Sequence, residues 1–409
     1  MRIPRYKRVV DAFAAELRAG RWPVGTRLPT HRELAAREGI ALVTASRVYA
    51  ELEAMGLVTG EQGRGTFVRD LVSGRGADQQ SVAADAVDLR FNYPSIPGQA
   101  ELLRHALKDL AAAGDLGSFL HYQPHRGRAE DRAAVARHLH RRGLSVSADQ
   151  VLVVSGAQHG LAATAMATLH RGDVVAVDAL TYPGFKAVAQ SLGLELVAVP
   201  VTPSGPDLDA LQRLCAERPV RAVYTMPTMH NPLGWVMSRA TRDRLVTIAR
   251  HHGLIVIEDA AYAYLAEDSP PPLAALAPEI TIYVSSLSKS VATGLRVGFV
   301  AAPATHVAPI ESAIQATTRN TPALNTAIAC RWLNDGTVDR LEAHKRTDAR
   351  MRQAIAGDVF DGLPVASHPS SYFLWLPLAE GARADRVAAT LASRHIAVST
   401  ADHFATTTP

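Results

Sequence analysis

Apolar positions with a helical period recur in three stretches of the first 69 residues. From Tyr6 to Ala19 they recur every three or four residues, which predicts an amphipathic helix. A turn-rich connector follows at residues 22–29, and Thr30 with Glu33 has the spacing of a capping box. A second, short helix is therefore predicted to begin after Thr30 and to end at Gly39.

A third helix is predicted to begin at Val43 or Thr44, where the helical period of apolar residues resumes. Two short helices joined by a tight, glycine-bearing turn form a helix-turn-helix, whose second helix enters the DNA major groove. Two short β-like runs, 57–60 and 65–68, then flank Arg64 and predict a β-wing with that arginine at its tip.

Beyond residue 150, short apolar runs alternate with helical stretches. Such runs are typical of buried parallel strands in a sheet that is covered by helices on both faces. The sequence therefore predicts an α/β fold with a mainly parallel central sheet, in which ligands bind at the carboxyl ends of the strands. The predicted strands are Val151–Val154, Val174–Val177, Ala222–Tyr224 and Leu254–Ile257.

The basic residues are concentrated near the N-terminus. The first 69 residues hold 12 Lys and Arg against 7 Asp and Glu, whereas the whole 409-residue chain has a net charge of only +4. A basic head on a nearly neutral body is typical of a domain that binds the phosphate backbone of nucleic acids. Chance clustering on a solvated surface is the alternative.

The composition places further bounds on the protein. A chain of 409 residues, of which 47% are hydrophobic, is long enough for two or three structural units. No apolar run approaches the length that spans a bilayer, and no apolar segment follows the basic N-terminus as in a signal peptide. Cys215 and Cys330 lie far apart and match no metal-binding spacing. We therefore expect free thiols, a cytoplasmic location and no metal site.

The segment around Lys289 carries the most specific chemical signal. A phosphate-bearing aldehyde cofactor needs an amine with which it forms a Schiff base, together with hydroxyls and a fixed cation for its phosphate. Lys289 would supply the amine, and the phosphate would be held by Ser286, Ser288 and Arg296. This spacing predicts a site for pyridoxal 5'-phosphate (PLP).

The residues that follow the first two predicted strands fit the same cofactor. The turn of Gly156, Ala157 and Gln158 opens a helix whose backbone amides would bind a phosphate, although this signal is weak when it stands alone. Tyr182 follows the second strand and places an aromatic ring where a pyridine could stack on it.

Two further polar side chains follow the third and fourth predicted strands. Asn231 lies in a proline-bounded loop that would direct its amide at the site. Asp259 would place a carboxylate where it keeps a pyridine nitrogen protonated and makes the ring an electron sink. An ordinary helix N-cap is the alternative for Asp259 taken alone.

Together these motifs resemble those of fold-type I PLP-dependent enzymes, specifically the aspartate aminotransferase superfamily. The motifs are Asn-Pro-x-Gly from Asn231, Asp-x-x-Tyr from Asp259, and Ser-x-Ser-Lys from Ser286 with the downstream Arg296. The resemblance implies that Lys289, Asp259 and Tyr262 are the catalytic residues and that Asn231 and Tyr262 hydrogen-bond the phenolic oxygen of PLP. It also implies a homodimer, because Tyr122 matches a tyrosine that reaches the phosphate in the neighbouring subunit.

The N-terminal pattern closely resembles the winged helix of GntR-family regulators, through residues 28–35, Tyr49, Leu52 and 63–68. By this resemblance the candidates for DNA contact are Arg32, Thr44, Arg47, Gly63, Arg64, Gly65 and Thr66. Leu42 stands where the family often has an arginine, which removes one expected contact. For the two helical arginines, solvated helix surface is the alternative role.

A winged helix, a linker and an aminotransferase-like body in this order resemble the MocR subfamily of GntR regulators over nearly the whole chain. We expect a winged helix DNA-binding domain at 1–69, a flexible linker at 70–85 and a PLP-binding domain at 86–409 that includes a smaller C-terminal α+β part. The resemblance implies a domain-swapped homodimer that binds double-stranded promoter DNA at paired sites. It also implies that PLP, or its adduct with an amino-compound effector, modulates that binding.

The sequence also departs from the family pattern near its C-terminus. Aminotransferases of the superfamily carry an arginine there that forks onto the substrate α-carboxylate, and this chain reaches Pro409 where that arginine is still expected. Either the sequence is truncated or the protein lacks the anchor. The favoured hypothesis is a PLP-binding regulator with at most slow transaminase half-reactions. The alternatives are an active aminotransferase with an accessory DNA-binding domain and a scaffold that binds DNA constitutively.

Overall fold

A computed structural model of the chain describes residues 5–18, 21–23, 25–55, 57–61, 65–68, 87–92, 96–113, 116–380 and 382–406. The predicted linker and the residues of the wing tip, Gly63 and Arg64, lie outside these ranges. Within them, no helix has the length and apolar character needed to cross a membrane.

The structure contains helices and strands throughout the described ranges. The helices are α1 (Arg5–Arg18), α2 (His31–Glu38), α3 (Leu42–Ala54), α4 (Gln99–Ala112), α5 (Ala129–Arg141), α6 (Ala157–Thr168), α7 (Pro183–Leu192), α8 (Leu208–Glu217), α9 (Arg239–His251), α10 (Leu273–Leu276), α11 (Leu287–Ser290), α12 (Ala304–Thr317), α13 (Ala323–Asn334), α14 (Thr337–Val359), α15 (Ala384–Ala392) and α16 (Ala401–Phe404). The strands are β1 (Val58–Glu61), β2 (Gly65–Val68), β3 (Val87–Asp88), β4 (Val151–Val154), β5 (Val174–Asp178), β6 (Glu195–Val199), β7 (Val201–Thr202), β8 (Gly205–Pro206), β9 (Val220–Thr225), β10 (Ile255–Asp259), β11 (Thr281–Ser286), β12 (Gly298–Ala301), β13 (Ala366–Ser367), β14 (Leu374–Trp375) and β15 (Ile396–Ala397).

The chain forms two compact units. One comprises Met1–Phe91 and Arg383–Ser399, and the other comprises Asn92–Ala382 and Thr400–Pro409. The predicted domain limits between residues 69 and 86 fall among residues outside the described ranges, so they stay predictions.

The first unit contains the predicted helix-turn-helix and wing. Helices α1, α2 and α3 surround one apolar cluster that includes Phe13, Leu34 and Leu52. Strands β1 and β2 pair antiparallel, with Val58 opposite Val68, so the predicted wing strands are confirmed. In the same unit, β3 and β15 form a short parallel pair.

Helix α2 begins and ends where the sequence predicted. The Thr30 hydroxyl accepts the backbone N–H of Glu33, and the Glu33 carboxylate accepts the backbone N–H of Thr30, so the capping box is confirmed. Gly39 ends the helix in the left-handed conformation, which costs a glycine little.

Helix α3 begins earlier than predicted, at Leu42. Its N-cap is Ala41, which makes no side-chain cap hydrogen bond. The predicted start was too late because alanine is not a typical N-cap residue. Thr44, two residues inside the helix, is of a type that favours N-caps.

The second unit is built on a seven-stranded sheet of order β4-β12-β11-β10-β9-β5-β6. All neighbouring strands are parallel except β12, which runs antiparallel to both β11 and β4. The mainly parallel α/β sheet predicted from the sequence is therefore confirmed. The sequence patterns did not identify β6, β11 or β12.

Both faces of the sheet are covered by helices, as the apolar runs required. Along β4, Leu152 and Val154 face a cluster that includes side chains of α6, α7 and α12. Val151 and Val153 face the opposite cluster, with side chains of α5, α13 and α14. A strand buried on both faces needs apolar residues at every position, which explains its unbroken Val-Leu-Val-Val run.

The smaller C-terminal elements follow the long helix α14. Strands β13 and β14 pair antiparallel through Ala366 opposite Trp375. The last described segment returns to the carboxyl edge of the large sheet, where Ala405 bridges Leu180. The side chain of Lys186 donates to three backbone carbonyls of that segment, including that of Ala405.

Candidate functional site

The carboxyl ends of six strands lie at one edge of the central sheet, because β4, β5, β6, β9, β10 and β11 all run in the same direction. The antiparallel strand β12 begins at this edge, where Gly298 lies opposite both Ser286 and Val154. Arg296, two residues before Gly298, therefore lies at the same edge. The fold thus brings together residues as far apart in the chain as Ser155 and Arg296.

Arg296 connects two of the predicted phosphate-binding segments. Its Nη1 donates to the Ser288 hydroxyl at 3.3 Å, and its Nη2 donates to the Ser155 carbonyl at 3.2 Å. Arg296 itself has φ 52°, a left-handed conformation that is uncommon for a side-chain-bearing residue. Such backbone strain is concentrated at binding sites, where the surrounding structure holds it in place.

Gly156 is required by this arrangement. Its φ of 89° and ψ of 166° lie in a region open almost only to glycine. A Cβ atom at this position would lie 2.7 Å from Nη2 of Arg296. The backbone at Gly156 therefore lies too close to the Arg296 guanidinium to leave room for a side chain. The backbone amides at the start of α6 and this guanidinium form a positively polarised cradle.

We expect Gly156→Ala to lower both stability and cofactor affinity. The alanine would have to adopt a strained backbone conformation, at a cost of about 1–3 kcal/mol, and its Cβ would displace the Arg296 guanidinium. Urea unfolding and PLP titration of the purified protein measure the two effects. Gly253→Ala is the matched control, since Gly253 has φ 64° and open space around it. Gly253→Ala should lower stability but not cofactor affinity. If the original protein and both variants bind PLP equally well, Gly156 is not part of the phosphate site.

Gly298 is a site residue that the sequence analysis missed. A Cβ atom there would lie 2.8 Å from both the carbonyl carbon of Gly156 and the carbonyl oxygen of Ser285. No sequence pattern indicates it, because the close approach of three chain segments depends on the order of strands in the sheet.

Ser286 and Lys289 lie at the end of β11 and in the single-turn helix α11. The buried Ser286 hydroxyl caps that turn by accepting the backbone N–H of Ser288 at 3.4 Å. The Lys289 Nζ donates to the carbonyl of Asn92 at 3.0 Å and lies 5.9 Å from the ring centroid of Tyr262. The predicted amine is thus held beside a predicted aromatic hydroxyl.

Tyr262 is buried and its hydroxyl accepts a hydrogen bond from the Asn92 side-chain amide at 3.2 Å. Burial raises the pKa of this tyrosine to about 12. The hydroxyl therefore keeps its proton at neutral pH and can donate it to an acceptor. Asn92, which contacts both Lys289 and Tyr262, was not identified from the sequence because it belongs to no recognised motif.

Asp259 is the last residue of β10 rather than a residue that follows the strand, which corrects the predicted strand end. Its carboxylate accepts the Tyr224 hydroxyl at 2.8 Å and the Ala261 backbone N–H at 3.0 Å. Burial raises the pKa of Asp259, while both hydrogen bonds act to lower it. A buried carboxylate of this kind is suited to a cationic partner at the site.

Tyr224 is a second residue that the sequence analysis missed as functional. It is fully buried, and its ring stacks on Phe185 with centroids 3.9 Å apart. The strand register places Tyr224 beside Ile257, two residues before Asp259, so that its hydroxyl reaches the carboxylate. The sequence placed Tyr224 in a strand, but only the pairing of β9 with β10 shows what it contacts.

Gln158, in the first turn of α6, contacts the start of α7, where Tyr182 is the N-cap. The Gln158 amide donates to the carbonyl of Gly184 at 2.8 Å, and a Cβ atom on Gly184 would lie 2.4 Å from the Tyr182 ring. The Gln158 Oε1 is buried and has no hydrogen-bond partner within the described residues. A buried acceptor without a partner is costly, and a ligand donor would satisfy it.

The loop that carries Asn231 is fixed by buried polar contacts. Arg242, which has no exposed surface, donates to the carbonyls of Pro227 and Met237 at the two ends of this loop. His230 stacks on Trp235 with ring centroids 4.1 Å apart. Asn231 itself is half-buried between these anchors, and its contact with a cofactor stays a prediction.

Tyr122 is exposed over 76% of its surface, with the Arg319 guanidinium 4.3 Å from its ring centroid. The backbone carbonyl of the same arginine lies 2.7 Å from Nδ1 of His125. The exposure of Tyr122 is compatible with the predicted contact in a neighbouring subunit, which stays a prediction.

Lys345 completes the surroundings of Lys289 and was not identified from the sequence. It is buried in α14, and its ammonium donates to the carbonyls of Lys289 and Val291 at 2.9 and 2.8 Å. Burial lowers the pKa of Lys345 to about 8. The Tyr264 hydroxyl donates to the same Lys289 carbonyl at 3.0 Å. Two donors therefore fix the backbone from which the Lys289 side chain extends.

The residues around Lys289 fit the PLP molecule predicted from the sequence. The cradle at Gly156 and Arg296 suits a phosphate, the buried carboxylate of Asp259 suits a protonated ring nitrogen, and the Lys289 amine suits an aldehyde. The unpartnered Gln158 oxygen lies at the edge of the same region.

The candidate DNA-contacting residues on the helices lie at the surface of the first unit. Arg32 is exposed at the start of α2, and Thr44 is half-buried in the first turn of α3. The exposed Arg47 lies 3.7 Å from Glu51 and over the ring of Tyr6 at 4.3 Å. Their contact with DNA stays a prediction.

The described part of the wing is held against the connector between α1 and α2. The carbonyl of Thr66 accepts the backbone N–H of Leu28 at 2.8 Å. Gly65 has φ 119°, and a Cβ atom there would lie 2.8 Å from Nε of Arg27. Gly63 and Arg64, the other wing residues predicted to contact DNA, lie outside the described residues.

Two protein families match this chain. The model of the aminotransferase class I and II family matches residues 84–409, and that of the gntR family of bacterial regulatory proteins matches residues 5–68.

Individual relatives are similar over most of the chain. The Bacillus subtilis (strain 168) protein named uncharacterized HTH-type transcriptional regulator YdeF is 29% identical over 397 residues, which cover 95% of this chain and 85% of the relative. The 2-aminoadipate transaminase of Thermus thermophilus is 30% identical over 302 residues, covering 71% of this chain and 74% of the enzyme.

Among solved structures, LysN is similar in fold. This α-aminoadipate aminotransferase from Thermus thermophilus was crystallised in complex with N-(5'-phosphopyridoxyl)-L-leucine. It matches with a TM-score of 0.71 at 26% identity, covering 78% of this chain and 84% of LysN.

Proposed function

Because the chain belongs to the aminotransferase class I and II family and begins with a gntR-family domain, we propose that it is a transcriptional regulator controlled through PLP. A DNA-binding domain fused to an aminotransferase-like fold is the MocR-type architecture. The protein binds PLP and DNA.

The observation that carries the proposal is the cofactor cradle around Lys289 in the same chain as a helix-turn-helix. PLP supplies an aldehyde that an amine can bond to and a pyridine ring that withdraws electrons. In our proposal Lys289 provides that amine, and Asp259 holds a proton on the ring nitrogen. Arg296, Ser288 and the amides after Gly156 bind the phosphate. These assignments are supported by the hydrogen bonds and close approaches at the sheet edge.

The aromatic and amide side chains would position the ring. Tyr182 would stack on it, and Asn231 and Tyr262 would donate to its phenolic oxygen. The high pKa of Tyr262 supports this role, because the hydroxyl must keep its proton in order to donate. Asn92 and Lys345 would position the Lys289 chain rather than contact the cofactor.

An amino-compound effector would bind where the Lys289 amine lies and leave that side chain free to adopt another arrangement. The proposed output is a change in promoter affinity. Coupling of this kind requires the effector, or PLP itself, to bind one arrangement of the protein more tightly than another. We further propose a domain-swapped cytoplasmic homodimer, in which the exposed Tyr122 of each subunit would reach the phosphate site of its neighbour.

The test is footprinting of the DNA upstream of the protein's own gene, with and without PLP. We expect the protected region or the affinity to change when PLP is added. Arg32→Ala and Arg47→Ala should each weaken binding, and a lost phosphate contact should lower the salt slope of the affinity by about 1.

Arg213→Ala is the matched control for this test, because it removes the same charge from an exposed position on α8. It should leave protection unchanged. Protection that is indifferent to PLP would contradict cofactor control, and protection that survives both N-terminal substitutions would contradict the proposed DNA-contacting residues. Rapid turnover of amino donors and keto acids would favour an active aminotransferase instead.

A further inference from the structure

We infer that Leu42 and Val43, at the start of α3, contact the C5-methyl groups of thymine in the DNA major groove. This inference rests on the proposed function, because it takes α3 as the helix that enters the groove. It adds a sequence preference to that function, namely A·T pairs at the bases that the first turn of α3 reaches.

The first turn of α3 presents apolar side chains to solvent. Val43 is exposed over 82% of its surface and Leu42 over 47%. The middle of the same helix buries its large apolar side chains, including Val48 and Leu52, against α1 and α2. The exposed pair is therefore not left over from an incomplete core, because the face that packs inside the unit is already filled.

Val43 lies on the same face of α3 as Arg47 and Ala50, since residues four and seven positions apart share one side of a helix. Arg47 and Ala50 are also exposed. The face that would carry the cationic contact to DNA thus begins with an aliphatic side chain. An aliphatic side chain cannot hydrogen-bond a phosphate, so it contributes by apolar contact alone.

The major groove offers one apolar group for such a contact. In a helix-turn-helix the N-terminal residues of the second helix reach the base edges. Among the base edges there, only thymine carries a methyl group, and apolar side chains recognise it. Leu42 and Val43 stand at that end of the helix, which makes thymine methyls the chemistry they fit.

The orientation of this turn is fixed by contacts from α2 and the connector. The imidazole Nδ1 of His31 lies 3.0 Å from the Ser46 hydroxyl, and its ring stacks on Tyr49 with centroids 4.8 Å apart. The Tyr49 hydroxyl donates to the carbonyl of Pro29 at 2.5 Å. Because these contacts hold α3 in place, the helix cannot easily shift when thymine is replaced by a base without a methyl group. A small apolar contact can therefore discriminate between bases.

The experiment begins with the full-length, PLP-loaded protein and a library of randomised DNA duplexes. Duplexes enriched by repeated selection are tested again with each thymine replaced in turn by deoxyuridine, which removes only the C5-methyl group. We expect one or more positions at which the affinity falls about fourfold, the factor that corresponds to exposing one methyl group. The remaining positions should be unaffected.

Two variants assign the effect to α3. Val43→Ala and Leu42→Ala should bind the unmodified duplex more weakly and lose the sensitivity to deoxyuridine at the position each contacts. Met55→Ala is the matched control, because Met55 is exposed over 45% of its surface at the other end of the same helix. About 18 Å of helix separates Met55 from Val43, so this variant should keep the full deoxyuridine effect.

The outcomes separate this inference from the function on which it rests. If selected duplexes bind equally well with thymine and deoxyuridine at every position, the thymine contact is wrong while DNA binding stands. A deoxyuridine effect that persists in both alanine variants would assign the methyl contact elsewhere and overturn the inference. If no duplex is enriched and none binds at low salt, the proposed DNA-binding function itself fails.

Discussion

Lys289→Ala is expected to abolish the visible absorbance that PLP acquires when it is joined to this protein. The Lys289 Nζ lies 5.9 Å from the ring centroid of Tyr262, and Lys289 is the lysine that the Ser-x-Ser-Lys motif places at this site. Without it the cofactor can still make phosphate and ring contacts, but it cannot be held covalently. Absorbance spectroscopy with excess PLP, followed by borohydride reduction and mass spectrometry, measures the loss directly.

Lys108→Ala serves as the control for this substitution, since Lys108 is exposed on α4. It should leave the spectrum and the reduced adduct unchanged. The thermal transition of both apo proteins should be compared, so that a folding defect is distinguished from loss of the amine. An unchanged spectrum in the Lys289 variant would show that another residue forms the covalent bond and would remove the basis of the cofactor assignments.

Asp259→Asn is expected to weaken PLP binding while leaving the apo protein at least as stable as the original. Loss of one partner from a buried, hydrogen-bonded charge pair costs about 2–5 kcal/mol. That range corresponds to a fall in affinity of about thirtyfold or more. Equilibrium titration with PLP at neutral pH measures this part of the prediction.

The stability part of the prediction follows from the direction of the pKa shift. Burial raises the pKa of Asp259 in the folded apo protein. Between the unfolded pKa and this raised value, the folded protein therefore binds more protons than the unfolded chain. Stability must then fall as pH rises through that window. Above the unfolded pKa, burial of this carboxyl therefore costs stability, and asparagine removes that cost.

Urea unfolding of the original apo protein and of the Asp259→Asn apo protein measures whether the substitution raises or lowers stability. Asp209→Asn is the control. Asp209 is exposed on α8, and its surface ion pair with Arg244 contributes at most about 1 kcal/mol, so cofactor affinity should stay unchanged and stability nearly so. If Asp259→Asn lowers apo stability and cofactor affinity together, the carboxylate is a structural element of the sheet edge rather than a partner kept for the cofactor.

Much of the helix-turn-helix could be predicted from local sequence. Thr30, Glu33 and Gly39 fix both ends of α2 through contacts between neighbours in the chain, and such contacts depend on spacing alone. The start of α3 could not be predicted in the same way. Its first turn begins at Leu42 behind an alanine that makes no side-chain cap, so its position depends on how α3 packs against α1 and α2.

The candidate site, too, was only partly predictable from local sequence. Lys289, Asp259, Asn231 and Tyr262 stand in motifs whose spacing could be recognised, and the apolar runs before several of them marked strands with a common direction. Tyr224 was placed in a strand, but its contact with Asp259 follows from the pairing of β9 with β10. No local pattern can specify which strands become neighbours.

The sequence by itself determined which chemical groups are present and which short elements carry them, because capping, periodicity and motif spacing act over a few residues. Only the tertiary structure decided that Gly298 must lack a side chain, that Asn92 and Lys345 hold the Lys289 segment, and that Gly156 meets Arg296. These contacts join positions tens to hundreds of residues apart. The contacts of Gly298 and Arg296 exist because an antiparallel strand, β12, lies between β4 and β11 in an otherwise parallel sheet.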